Sequence, residues 1–242
     1  MHLIKLSAIS STNDFLKQLS ASRQLDDFTV VWAEQQTQGK GQMGGKWVSE
    51  SSKNLTFSIL LNGGHFQIDD LFTLNVMVAN AVIKALNFFE LDHISVKWPN
   101  DILSYNKKIA GILIENNIRA DGTIHSVVGI GINVMQTLFD GFPQASSIFL
   151  QYGKAVEQEH LLSKIVSLLK HSVLKLRERA IGEWDFYHEH LFRKDVVSVF
   201  ENTQGQRFMG IVKKVNHHGQ LVVQPEHGDF KCFNLKEVKL LY

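Results

Sequence analysis

Two hydrophobic periods alternate along this chain, and each change of period marks an element. Residues 3–9 carry the short repeat of a strand. Ser10-Ser11-Thr12-Asn13-Asp14 then supplies capping side chains, with Phe15, Leu16 and Leu19 following at helical spacing. Residues 28–34 and 54–61 read as strands separated by a glycine-rich stretch. Over 68–89 the helical period returns, carried by Leu71, Leu74, Val78, Ala81, Val82, Ala85 and Leu86. A short strand at 94–98 stops at Pro99-Asn100-Asp101, since proline removes a donor and fixes φ. Residues 108–115 and 126–134 predict two strands flanking the Ala120-Asp121-Gly122 turn. The longest predicted helix covers 157–180, with Leu161, Leu162, Ile165, Leu168, Leu169, Val173 and Leu176 on one side.

After residue 192 the pattern becomes short strands between turns such as Asn202-Thr203-Gln204-Gly205 and His217-His218-Gly219. Hairpin-linked strands with separate helices predict an α+β fold with a mixed, largely antiparallel sheet, rather than a doubly wound parallel one. The expected division is a larger unit over 1–188 and a small all-β module over 189–242.

Composition narrows the function classes. With 242 residues, 44% apolar and 20% charged, the chain can bury a large core. Lys and Arg total 25 against 24 acidic residues, so no overall field draws it to nucleic acid or membrane, and anion recognition must be local. The single Cys232 cannot form an internal disulfide, which points to a reducing compartment, and is expected to be a packed small hydrophobe. No signal-like segment or apolar run near the ~20 residues of a membrane span is evident, so the cytoplasm is the expected location.

Three constellations carry candidate chemistry. Residues 35–47 form a loop with Gly39, Gly41, Gly44 and Gly45, the cations Lys40 and Lys46, no acidic residue, and a closing Trp47. Such a loop offers backbone N–H groups and positive charge to a phosphate or a carboxylate. Its Gly39-to-Gly44 spacing matches G-x-G-x-x-G, but a dinucleotide site needs a helix directly afterwards, which Lys46-Trp47-Val48-Ser49 does not start; no P-loop spacing exists. In the second, Lys97 precedes a turn where Asn100 and Asp101 can face a ligand or metal ion. Lys108 opens the next strand, with Ala110 and Ile112 expected on its face and Gly111 on the other. The third, Val127-Val128-Gly129-Ile130-Gly131-Ile132-Asn133, puts two glycines in a β-branched run. They fit a flat ligand's close approach, or a β-bulge. His188-Glu189-His190 and His217-His218 lack metal-site spacing, and no nucleophile elbow is present.

Taken in order, Ser11-Thr12-Asn13, residues 36–47, Lys97-Trp98-Pro99-Asn100-Asp101, residues 108–115 and Gly129-Ile130-Gly131-Ile132-Asn133 resemble the motifs of the biotin protein ligases. The resemblance spans essentially the whole chain and implies a class II synthetase-like catalytic domain followed by an SH3-like β module. It implies that biotin and MgATP form biotinyl-5′-adenylate, whose acyl group passes to a lysine of a biotin carboxyl carrier protein, the carrier part of a carboxylase. By motif, Ser11, Thr12, Asn13 and Gln36 would hold the biotin head group, with Gly39, Lys40, Gly41, Lys108, Gly129 and Gly131 around it. Lys40, Gly41, Gln42, Trp47, Lys97, Asn100, Asp101 and Asn133 would contact ATP or the adenylate, Asn100 and Asp101 also Mg²⁺. Lys108 and Lys40 would be the catalytic cations. Lys97 would be either a second oxyanion partner or the contact that activates the acceptor lysine.

The family loop commonly reads Gly-Arg-Gly-Arg, whereas this chain has Gly39-Lys40-Gly41-Gln42, so a two-pronged guanidinium grip is missing and weaker retention of the adenylate is expected. The ligase motifs begin by Ser11, which leaves no room before them for the DNA-binding domain of some relatives; no specific DNA binding is expected. Sheet-edge homodimers are a family habit for which no residue here makes a specific case. Lipoate ligases share the adenylate logic but typically carry an Arg-Arg-x-Ser-Gly-Gly-Gly segment absent here. A biotin sensor without turnover would need neither Lys108 nor the Pro99-Asn100-Asp101 turn.

Overall fold

A computed structural model describes residues 2–63 and 65–242. Its main sheet has seven strands: β1 (His2–Ile9), β2 (Thr29–Gln36), β3 (Asn54–Leu61), β4 (Ile94–Lys97), β5 (Asp101–Ser104), β6 (Lys107–Ile118) and β7 (Ile124–Asn133). They stand in the order 1-2-3-7-6-5-4. Only β1 and β2 run parallel, and α1 (Thr12–Ser22) makes the crossover between them. All other pairs are antiparallel, as the hairpin pattern predicts.

The sheet is covered on both faces near its centre, which explains why all eight residues of β3 are buried. One face, with Leu55, Phe57 and Ile59, packs against α2 (Leu71–Phe88), whose Leu74, Val78, Val82 and Leu86 enter the main core. On the other face Leu16 of α1 closes a smaller cluster with Val31, Leu60 and Val127. By length and composition α2 could cross a bilayer, but 67% of it is buried inside the fold.

The helix expected over 157–180 is two helices, α4 (Gln158–Leu174) and α5 (Leu176–Glu189), following a short α3 (Ile148–Tyr152). The break is at Lys175, with φ −112° and ψ 21°. A buried carboxylate rewards it: Glu183 on α5 accepts from Asn80 Nδ2 of α2 (2.6 Å), Ser172 Oγ of α4 (2.7 Å) and Lys84 Nζ of α2 (3.2 Å). That tertiary network outweighs the continuous helical period.

The C-terminal part is an antiparallel sheet of five strands, β8 (Val197–Asn202), β9 (Arg207–Val215), β10 (Leu221–Pro225), β11 (Lys231–Phe233) and β12 (Val238–Leu241), in the order 11-10-9-8-12. It is joined tightly to the main sheet. Val96 N–H donates to His190 O (2.8 Å), Phe192 N–H to Val96 O (2.9 Å), and Trp98 Nε1 to Gly219 O (2.8 Å). One expectation fails here. Cys232 is exposed rather than packed, because β11 is an edge strand of this sheet.

Gly219 is the tightest point of the junction. Its φ is +80°, and a Cβ there would lie 2.7 Å from Phe72 Cγ. Gly219→Ala therefore combines left-handed strain with a ring collision and should cost about 2–4 kcal/mol in urea unfolding; a change under about 0.5 kcal/mol would contradict this packing.

Candidate active site

The site is built on a strip of sheet that carries three glycines, Gly111, Gly129 and Gly131. β6 and β7 pair with Gly111 opposite Gly131 and Leu113 opposite Gly129. β7 holds unbroken register against both neighbours, so its glycines do not mark a bulge. They admit other groups instead. A Cβ on Gly131 would lie 2.6 Å from Trp47 Cζ2 and 2.9 Å from its Nε1, and one on Gly111 3.2 Å from Trp47 Cζ3. The indole thus lies on the bare strip, its Nε1 buried and without a hydrogen-bond partner. A Cβ on Gly129 would come 3.0 Å from Asn13 Cγ.

The polar end of the pocket comes from the start of α1. Ser11 caps the helix by accepting from Asp14 N–H. Thr12 donates to Gln36 Oε1 twice, from N–H (2.8 Å) and Oγ1 (3.0 Å). Asn13 is engaged on every side: Nδ2 donates to Glu115 Oε2 (2.8 Å) and Leu113 O (3.3 Å), while Ser58 Oγ lies 2.6 Å from its Oδ1. Asn13 therefore lines the pocket but orients its neighbours. Ser58, also 2.7 Å from Thr12 Oγ1, escaped the sequence reading; the only signal is one serine in an apolar strand.

The loop after β2 is a closed flap. Trp47 N–H donates to Gly39 O (2.9 Å) and Gly41 N–H to Gly45 O (2.8 Å), with Lys40 and Lys46 paired across. Lys40 Nζ sits 2.6 Å from Asp14 Oδ2. The hydrogen bond from Lys40 holds the Asp14 carboxyl below the usual carboxylate range, with Lys17 adding to it against partial burial. The cavity left beneath the flap is only about 60 Å³.

Lys108 departs from its expected face. A β-bulge in β6 opposite Ile102 and Leu103 inserts Ile109 between the paired Lys108 and Ala110. Ile109, Ala110 and Ile112 enter the core, while Lys108 Nζ comes within 3.4 Å of a Cβ built on Gly111. The bulge thus turns Lys108 onto the glycine strip, 5.9 Å from the Trp47 ring centroid. Its backbone is bracketed as well: Lys108 N–H donates to Gln144 O (2.7 Å) and Lys108 O accepts from Ser146 N–H (2.9 Å).

Asp101 binds two ammonium groups, Lys108 Nζ at 2.6 Å and Lys97 Nζ at 3.3 Å. Asn100 ties β6 in place through Nδ2 to Ile112 O (2.7 Å). The Asp101 carboxylate is thus engaged by two ammonium groups, and among the described residues no cluster of three or more His, Cys, Asp or Glu could hold a metal. Asn133 does not line the pocket. It is buried, with Nδ2 donating to Ser146 O (2.9 Å) and Oδ1 accepting from Asn54 (2.9 Å), so it steadies the segment that brackets Lys108. Lys97 opens instead, with Lys108, Asp101 and Gln42, onto a groove of about 680 Å³ that runs to Tyr242 beneath the C-terminal sheet. Two cavities therefore meet at the Lys108 ammonium.

Comparisons with known proteins agree with this geometry. The model of the biotin/lipoate A/B protein ligase family matches residues 6–133. The bifunctional ligase/repressor BirA of Bacillus spizizenii is 31% identical over 170 residues, 68% of this chain and 51% of that protein. The chain thus spans about half the length of the first curated relatives it matches. The biotin–[acetyl-CoA-carboxylase] ligase of Mycobacterium tuberculosis is 26% identical over 215 residues, 87% of this chain and 79% of that one. A biotin protein ligase from Aquifex aeolicus, solved in complex with biotin and ATP, superposes with a TM-score of 0.82 at 26% identity, covering 99% of this chain and 98% of the other. Because the matched stretch contains the flap, the glycine strip and Lys108 together, the chain belongs to the biotin/lipoate A/B protein ligase family.

Proposed function

We propose that this protein is a biotin–[carboxylase carrier] ligase, which activates biotin as biotinyl-5′-AMP and passes the acyl group to a carrier lysine. The observation that carries this reading is the Lys108 ammonium at the meeting point of a small polar-ended pocket and a larger groove. The pocket suits an uncharged ring whose polar atoms meet Thr12 and Gln36, each unmatched one costing about 1–3 kcal/mol. The groove, with Lys97 and Gln42, has room for a nucleotide.

Chemistry follows from that placement. The biotin carboxylate attacks the α-phosphorus, the bond to the β-phosphate oxygen breaks, and pyrophosphate leaves. Lys108 stabilises the charge that builds on the α-phosphoryl oxygens. In the second step the acceptor amine attacks the acyl carbon, loses a proton, and AMP leaves as the acyl–oxygen bond breaks. Lys97 is either a second oxyanion partner or the contact that activates the incoming lysine. Asn100 and Asp101 would help to hold Mg²⁺, which comes with the triphosphate and would neutralise its charge. The natural acceptor is a biotin carboxyl carrier domain, a reading supported by the Mycobacterium tuberculosis relative. Residues 189–242 form the module that walls the groove. The protein acts in the cytoplasm without specific DNA binding, in line with its balanced charge of 25 basic and 24 acidic residues. A sheet-edge homodimer is compatible with this reading, β1 being an edge strand.

ATP–pyrophosphate exchange dependent on biotin tests the assignment. Dependence on lipoate would move the protein to the other branch of its family, and biotin binding without exchange would make it a sensor. Lys108→Ala should lower exchange about 10²–10³-fold while changing biotin affinity less than about tenfold; equal losses would reassign Lys108 to ground-state binding. Gln42→Arg should slow adenylate dissociation several-fold by restoring a guanidinium to the flap, and an unchanged off-rate would contradict the weak-retention reading.

A further inference from the structure

The flap is docked by three contacts. Trp47 covers the glycine strip, Met43 O accepts from Lys236 Nζ (3.4 Å), and Lys40 pairs with Asp14. The remaining cavity of about 60 Å³ is far below the roughly 300 Å³ minimum typical of ligand pockets. A ring ligand that is to lie on Gly111 and Gly131 must therefore displace the indole.

Of these anchors, the Asp14 contact is the one prepared in advance. Asp14 Oδ1 is held at 2.9 Å by Lys17, and Lys17 Nζ lies 2.7 Å from Glu115 Oε1 of β6. Glu115 in turn accepts from Asn13 (2.8 Å), the residue that Gly129 admits to the pocket. The carboxylate that receives the flap is thus fixed to the frame of the pocket, while Lys40 is half exposed and free to exchange partners. Resting on the ligase reading above, we propose that Asp14 is a positioning residue: by tethering Lys40 it sets how often the flap stands open, and so the rates at which biotin enters and the adenylate escapes.

A tether on a door acts on both directions of traffic. Asp14→Asn keeps the side chain's shape and removes its charge. It should raise hydrogen–deuterium exchange of residues 39–47 in the ligand-free protein about two- to five-fold, the range of an exposed ion pair. Biotin association by stopped flow and adenylate dissociation should quicken by a similar factor, and Asp14→Glu should restore slow exchange. In a Lys40→Met background, Asp14→Asn should add nothing. Unchanged exchange in Asp14→Asn, or an equal increase in the Lys40→Met background, would overturn the proposal. So would slower association with a lowered Tm, which would assign Asp14 to the stability of α1. The exchange experiment needs no ligand, so a failure of the ligase reading would appear separately, as absent biotin-dependent pyrophosphate exchange.

Discussion

One carboxylate between two ammonium groups organises the reactive corner. Asp101 holds Lys108 and Lys97 where the flap pocket meets the groove under the C-terminal sheet. Two cations sharing one anion leave net positive charge at that point, which a phosphate or carboxylate can take up without uncovering a buried unpaired charge. Everything around the pair serves its placement. The bulge in β6 turns Lys108 off the core face, Gln144 and Ser146 clamp its backbone, and Asn133 secures Ser146 from behind.

The glycine strip is the counterpart of that charge. Gly111 and Gly131 stand opposite one another, and the strip takes a flat ring against backbone. In this structure that ring is the protein's own Trp47. Its Nε1 is buried without a hydrogen-bond partner, as is that of Trp32 in the core. Weak, exposed ion pairs such as Lys40–Asp14 suit a part that must move, whereas Trp98–Gly219 and the Glu183 network fasten parts that must not.

Much of this was legible in residue order alone. Periodicity located nearly every strand of the main sheet, because β2, β3 and β7 each bury apolar residues over most of their length. The glycine loop and the glycine pair stood out because their residue types are unfavourable unless something approaches closely. What stayed hidden depends on contacts distant in sequence. The break at Lys175 is explained by Glu183 meeting α2, and the face of Lys108 by a one-residue bulge that no side-chain pattern announces. Asn133 and Asn13 carry the right identities for ligand contacts, yet their amides are taken by protein partners visible only in three dimensions. Ser58 was invisible for the opposite reason, a small hydroxyl beside Thr56 in a strand otherwise read as core. Cys232 followed the habit of its residue type, but the short edge strand β11 leaves it outside.

The central claim is that the Lys108 ammonium exchanges Asp101 for the junction between acyl group and phosphate. A crystal structure with a non-hydrolysable biotinyl-adenylate analogue measures this directly. The account predicts Lys108 Nζ at about 3 Å from an oxygen of that junction, with the indole of Trp47 displaced from Gly131 and the flap folded over the analogue. An ammonium still on Asp101 and beyond contact of the analogue, with Trp47 unmoved on the strip, would contradict it.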